Sequence, residues 1–333
     1  MEYKPLRVFI DVIFFIAALI PSVVLYALDS PTLMFQRGFF CDDESIKYPY
    51  KEDTISVGVL VAVGLLVPTV TMVVCEWFLY RYFVRCSEEG SPWRPYQRRK
   101  MCCCSVHPWA TALYSTIGSF GLGAAFTLLL TDSGKYMIGR LRPHFISVCT
   151  PDWSLINCTD SDGYQQYVQD IPCLGTDTHQ LTDGRLSFPS GHASSAFYFF
   201  AYWVIYLQAR MIPEVFGDTL LRPFLQLAGA LAAILVGLSR VSDYKHHWSD
   251  VFAGSILGLV VAILVAVFVS DLLRIPISRD SRIEKGEVMP LYGSGSAISD
   301  QLSSDRMLSD EDNNGITHDD GNRKKNSGKY ISC

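Results

Sequence analysis

Charge is scarce over most of this 333-residue sequence. Six stretches, at about 7–27, 56–80, 108–130, 191–212, 224–238 and 251–273, hold no more than two charged residues apiece. A bilayer core about 30 Å thick needs roughly 20 apolar residues per helix. Runs of that length without charge exclude an ordinary water-soluble domain and predict an all-α integral membrane protein with six transmembrane helices. The fourth run is broken by serines and aromatics, and the fifth is short unless Arg222 and Pro223 lie at its boundary. No long internal repeat is present, which argues against a repeat array. The first run lacks a clear small-residue cleavage site and carries Asp11 and Pro21, so it reads as an uncleaved helix rather than a signal peptide. From 275 to 333 aromatics are few and Ser, Asp, Asn, Gly and Lys abound. Such a segment cannot bury a core, which predicts a six-span domain over 1–274 and a disordered cytoplasmic tail over 275–333.

The net charge of −5 decides little, because the charges are segregated along the chain. Lys and Arg in short loops mark the cytoplasmic side of a membrane. The densest basic stretch, Arg81, Arg85, Arg94, Arg98, Arg99 and Lys100, follows the second run. It places that loop, the Arg210 to Arg222 loop and both termini in the cytoplasm. Loops 28–55, 131–190 and 239–250 then face outward or into a lumen. Asn157-Cys158-Thr159, an N-glycosylation sequon, falls on that outer side. So do Cys41, Cys149, Cys158 and Cys173, an even set in an oxidising compartment that permits three disulfide connectivities. Cys102, Cys103 and Cys104 fall on the cytoplasmic side, where reduced thiols are expected.

Three polar clusters interrupt the apolar pattern. Lys135 to Pro143 follows the third run, Pro189-Ser190-Gly191-His192 precedes the fourth, and Ser239 to Asp250 links the fifth and sixth. Alternation of the spans puts all three at one outer membrane face. Lys135, Arg142 and Arg240 thus lie on the side that is usually poor in cations, and fixed cations converging on one point suit a phosphate. Ser190 and Gly191 open a helix whose N-terminus attracts an anion. His246 and Asp250, four apart, share a face if the sixth helix starts at or before His246. The carboxylate would then fix the imidazole tautomer and leave a nucleophilic nitrogen. His192 could protonate a leaving oxygen. His247, His144, His107, His179 and His318 read as structural. A metal on His192, His246 and Asp250 is disfavoured, because the three cations would repel it; no cofactor is expected.

The spacing of these residues resembles the type 2 phosphatidic acid phosphatase superfamily: Lys135, six residues, Arg142-Pro143; then Pro189-Ser190-Gly191-His192; then Ser239-Arg240, five residues, His246, three residues, Asp250. With Arg37 to Cys41 and Tyr48 to Tyr50, it is similar to the animal lipid phosphate phosphatases over roughly 5–275. The resemblance implies metal-independent dephosphorylation of phosphatidate, lysophosphatidate, sphingosine 1-phosphate and ceramide 1-phosphate. His246 would be the nucleophile, Asp250 its orienting carboxylate and His192 the acid. Lys135, Arg142, Ser190, Gly191 and Arg240 would cradle the phosphate, and Asn157 would carry a glycan. Lipid phosphates in the bilayer are the expected partners, with no nucleic acid; a homo-oligomer is left open, as is plasma membrane against internal membrane. A catalytically silent binding protein on the same scaffold would lack cluster residues, and none is missing. A transporter would spread its charges through the spans, whereas these gather at one end.

Overall fold

The computed structural model describes residues 5–28, 34–88, 99–101, 104–217, 220–270 and 272. All of them fall in the first of two units, Met1–Ile275. The expected tail and Cys102 and Cys103 lie outside the described residues. The helices are α1 (Pro5–Leu28), α2 (Val57–Glu88), α3 (Pro108–Ile138), α4 (Phe145–Cys149), α5 (Thr178–Asp183), α6 (Gly191–Arg210), α7 (Pro213–Phe216), α8 (Leu221–Ser242) and α9 (Trp248–Leu264). A π-turn over Val265–Val269 continues α9. The all-α expectation needs a small correction. Phe39–Phe40 (β1) pairs antiparallel with Tyr167–Val168 (β4), and Arg99–Met101 (β2) pairs with Cys104–Val106 (β3).

Among the described residues, five helices are long and apolar enough to cross a membrane: α1, α2, α3, α8 and α9 with its π-turn. Their outward faces expose Phe9, Phe14, Leu66, Leu227, Leu231, Phe252 and Phe268, which water would not tolerate as a continuous surface. The chain is a multi-pass membrane protein. α8 begins at Leu221, so Arg222 and Pro223 sit in its first turn, where a missing proline N–H costs nothing.

The sixth long helix, α6, packs against α2, α3, α8 and α9. Its centrality explains its composition. Tyr198, Tyr202 and Tyr206 are fully buried. The Tyr198 hydroxyl donates to the Phe120 carbonyl at 2.6 Å, and that of Tyr206 to Glu76 at 3.3 Å. Polar groups shielded from lipid by neighbouring helices find partners inside the bundle. The serines and aromatics that weaken the fourth run are therefore its contacts.

α6 and α9 approach closely because Gly254 and Gly258 lie one turn apart on the facing side of α9. A Cβ at Gly254 would come within 2.5 Å of the Ser190 carbonyl oxygen, and one at Gly258 within 2.3 Å of the Ser194 carbonyl oxygen. Small residues four apart let two helix backbones touch in an apolar medium. Thr131 and Ser194, whose hydroxyls are 2.8 Å apart, fasten α3 to the same end of α6.

The segment between α3 and α6 folds back as a cap rather than as a loose loop. Cys149–Cys173 closes it internally, and Cys41–Cys158 ties it to the segment before α2. Of the three connectivities the sequence allows, this is the one formed. Phe39, Ile46, Leu141, Phe145 and Cys149 make a second small core beneath it.

Substituting Gly258→Ala should destabilise the detergent-solubilised protein by about 1–3 kcal/mol, as overpacking does. Gly118→Ala, whose Cβ would meet nothing within 4 Å, should be neutral or stabilise by up to about 1 kcal/mol through helix propensity. Thermal unfolding of the two variants side by side checks both.

Candidate active site

The cap and the helix ends bring the three polar clusters together. Arg142 N–H donates to the Gly184 carbonyl, Ser187 N–H to the Arg140 carbonyl, and Ser190 N–H to the Asp250 carbonyl at 3.1 Å. His144 Nδ1 donates to the Tyr244 carbonyl at 2.8 Å, joining the first cluster to the third. Lys135 lies in the last turn of α3, which runs to Ile138, eight residues past the end of the apolar run at about 130. Its ammonium sits beside Gly191, where a Cβ would stand 3.3 Å from Nζ. Gly191 thus gives the lysine room at the start of α6. Ser190 is the N-cap: its hydroxyl accepts from Ala193 N–H at 3.4 Å.

Each of the three cationic phosphate-ligand candidates already lies beside a carboxylate. Lys135 Nζ is 3.9 Å from Asp132. Arg142, buried beneath the cap, donates to Asp183 of α5. Arg240 is fully buried and bonded along its whole fork: Nε to Ser239 Oγ at 3.2 Å, Nη1 to Asp53 at 2.9 Å and Nη2 to Asp243 at 3.0 Å. Asp243 is itself held by the N–H and hydroxyl of Thr54, at 2.8 and 2.7 Å. This pairing follows from burial, since an unpaired charge in a poorly hydrated interior is costly. One donor is left over. The Nε of Arg142 is buried with no hydrogen-bond partner.

His246 is 3% exposed, and its Nδ1 lies 2.7 Å from the Ser187 carbonyl oxygen. A carbonyl can only accept, so Nδ1 carries the proton and Nε2 keeps the lone pair. Burial, then the positive charges of Arg142 and Lys135, hold this imidazole well below its ordinary basicity. It is neutral, as a nucleophile must be. His192 Nε2 is 3.1 Å from the Ile55 carbonyl oxygen and 3.5 Å from Arg240 Nη1.

The expected His246–Asp250 bond is not formed. α9 starts at Trp248 with His247 as its N-cap, so His246 precedes the helix and the four-residue spacing puts no common face between the pair. Asp250 instead occupies the third helical position and closes a capping box with His247, accepting from its N–H at 3.1 Å and from its Nδ1 at 3.2 Å. The remaining bonds of Asp250 come from Arg140 and Ser187. His247, read as structural from the sequence, therefore touches the carboxylate that His246 was expected to hold.

The sequence reading also missed residues that lie outside the three spacings. Asp53 and Lys245 are the clearest. Lys245 is buried, with its ammonium 3.9 Å from the Tyr50 ring centroid and 3.9 Å from Asp53. Asp53 and Tyr50 come from the segment before α2, which carries no signal beyond Tyr48-Pro49-Tyr50. Asn157 is exposed on the cap, apart from this cluster.

Burial, then the nearby Arg142 and Lys245 charges, lower His144 to about 4, although its bond to Tyr244 works the other way. Above pH 6.5 neither the folded nor the unfolded chain protonates this ring. As pH falls below 6.5 the unfolded chain takes up a proton that the folded ring refuses until about pH 4. Stability therefore drops across that window. His144→Asn keeps an N–H donor for the Tyr244 carbonyl and removes the titration. Its thermal midpoint should fall less steeply than that of the wild type between pH 6.5 and 4.

Residues 116–274 match the PAP2 superfamily. Phospholipid phosphatase 1 of Rattus norvegicus is 43% identical over 279 residues, covering 83% of this chain and 89% of that protein. Phospholipid phosphatase 2 of the same organism is 39% identical over 271 residues, covering 81% and 88%. Phospholipid phosphatase 1 of Mus musculus is 41% identical over 290 residues, covering 86% and 93%. No solved structure gives a match. With the three clusters gathered at one end of a membrane helix bundle and identity at this level over most of its length, the chain belongs to the PAP2 superfamily, among the relatives of the phospholipid phosphatases.

Proposed function

We propose that this protein is a lipid phosphate phosphatase that works through a phosphohistidine on His246. The observation that carries the reading is a neutral, buried imidazole with a free Nε2 within the field of Lys135 and Arg142, beside a buried Arg142 Nε that has no partner. An incoming phosphate supplies oxygens for that open donor and for the ammonium of Lys135. Arg240, already clamped by Asp243, meets the same anion from the side of His192. Ser190 and Gly191 contribute the positive end of α6.

Phosphoryl transfer asks mainly for position and for charge stabilisation on the equatorial oxygens. Burial, then the Arg240 charge, lower His192 to about 4, and the substrate dianion arriving beside it favours its protonated form. His246 Nε2 then attacks phosphorus, the ester P–O bond breaks, and protonated His192 gives its proton to the leaving alkoxide. Water then attacks the phosphohistidine, His192 takes back a proton, the P–N bond breaks and inorganic phosphate leaves. Asp53 and Asp183, which hold Arg240 and Arg142, yield those cations to the substrate dianion. Guanidinium and ammonium groups fill the role that a metal has elsewhere, so the reaction is metal-independent.

Substrates of the class implied by the family are lipid monophosphates: phosphatidate, lysophosphatidate, sphingosine 1-phosphate and ceramide 1-phosphate. A site at the end of a membrane bundle accepts the headgroup while the acyl chains stay in lipid. α6 serves as the sixth span; with the basic link after α2 in the cytoplasm, the site lies on the outer face and both termini lie in the cytoplasm. The exposed Asn157 sequon and the two disulfides of the cap suit that side.

Purified protein given phosphatidate in mixed micelles with excess EDTA should release inorganic phosphate. His246→Ala should lower the rate by about 10³-fold or more, as loss of a nucleophile does. Brief exposure of the wild type to labelled substrate should leave an acid-labile phosphoprotein. Equal phosphate release by the two proteins would overturn the assignment.

A further inference from the structure

Asp250 is fully buried and both its oxygens are occupied. Oδ1 accepts from Arg140 Nη1 at 2.5 Å, while Oδ2 accepts from Ser187 Oγ at 2.6 Å and from the N–H and Nδ1 of His247. No bond runs from Asp250 to His246. What joins them is Ser187. Its hydroxyl reaches the carboxylate and its carbonyl oxygen accepts from His246 Nδ1 at 2.7 Å. Ser187 is itself fully buried, and its N–H donates to the Arg140 carbonyl at 2.9 Å. The serine is thus held at three points. Arg140 is held as well, since its Nη1 also donates to Ser249 Oγ at 2.8 Å.

We propose that Arg140 and Ser187 are positioning residues for the nucleophile, through which Asp250 acts on His246 at one remove. Arg140 fixes the carboxylate, the carboxylate fixes the Ser187 hydroxyl, and the Ser187 carbonyl sets the tautomer and aim of the imidazole. Neither residue belongs to the three spacings that point to the site. The chemistry gives a reason for the intermediary. A carboxylate bonded directly to an imidazole favours its doubly protonated form, and an imidazolium has no lone pair with which to attack phosphorus. A backbone carbonyl orders the ring equally well and carries no net charge. The charge of Asp250 is meanwhile matched by Arg140, so it holds the serine without drawing a proton onto His246. Once Nε2 is phosphorylated, the same carbonyl dipole faces a ring that has become positive.

This inference rests on the nucleophile assigned above, so His246→Ala runs beside the test variants. Full-length protein carrying Ser187→Ala, Arg140→Lys or His247→Asn is assayed for kcat, KM, the rate of phosphoprotein formation and the thermal midpoint. Ser187→Ala and Arg140→Lys should each lower kcat by about 10- to 100-fold, the range expected when a reacting group is misaimed. Phosphoprotein formation should slow in parallel and KM should change less than about twofold. Asn is a good N-cap, so His247→Asn should keep kcat within about threefold of the wild type. If Ser187→Ala does not fold, Arg140→Lys, which keeps the charge, decides alone. Wild-type kcat in Ser187→Ala and Arg140→Lys with an inactive His246→Ala would overturn the proposal and spare the phosphatase reading. So would a kcat loss in His247→Asn as large as that in Ser187→Ala, because Asp250 would then act through the other ring. An active His246→Ala would instead overturn the parent reading.

Discussion

Buried charge is the constraint on which the catalytic end of this protein depends. Arg240 and Asp250 are wholly inaccessible and Arg142 nearly so. At such depth an ion without a partner is strongly destabilising. The chain answers with carboxylates from several places: Asp53 before α2, Asp183 from the cap, Asp243 and Asp250 from the link between α8 and α9. Because the partners come from different segments, pairing the charges also assembles the site. The segment before α2 is drawn over Arg240 by Asp53 and Thr54, and the cap is drawn over Arg142 by Asp183. The result is a cluster of cations matched by carboxylates, in which the Nε of Arg142 is buried without a hydrogen-bond partner.

That arrangement requires the helices to hold still. α6 supplies the rigid post, packed on four sides and pressed against α9 through Gly254 and Gly258. The contact places the Pro189–His192 turn against the start of α9, which is where Asp250 reaches Ser187 and where the Asp250 carbonyl accepts from Ser190. Packing in the lipid-facing bundle and chemistry at its end are therefore one construction. A shift of α9 along α6 would move the Asp250–Ser187 support of His246 with it.

The cap adds a second layer. His144, Tyr244, Tyr48 and Tyr50 interlock over the link that carries His246: Tyr48 stacks on Tyr244 with centroids 4.6 Å apart, and Tyr50 meets His144 edge-on at 5.3 Å. The disulfides restrain this layer from above. Together these rings tie the segment before α2 and the start of the cap to Tyr244, two residues before His246.

Much of this was legible in the residues alone. Long runs without charge report the bilayer directly, because each span must satisfy the solvent along its own length. The cluster residues were legible because cations and histidines beside apolar runs have few structural uses. Alternation of the spans sufficed to gather them at one end. The partner of His246 was not legible, because it depends on where α9 starts. Two residues of difference turned Asp250 from a neighbour of His246 into the capping partner of His247. Asp53, Asp183 and Ser187 stayed hidden for a related reason: they reach the site from chain segments whose approach only packing decides. Arg140 and Lys245 lie within the first and third clusters, at positions that the spacings leave open. The fourth run looked weak because its polar and aromatic residues face protein rather than lipid. Local composition thus determined that this is a membrane bundle with a phosphate-type cluster at one end. The pairing of buried charges, a matter of angstroms between distant segments, was decided by the tertiary structure.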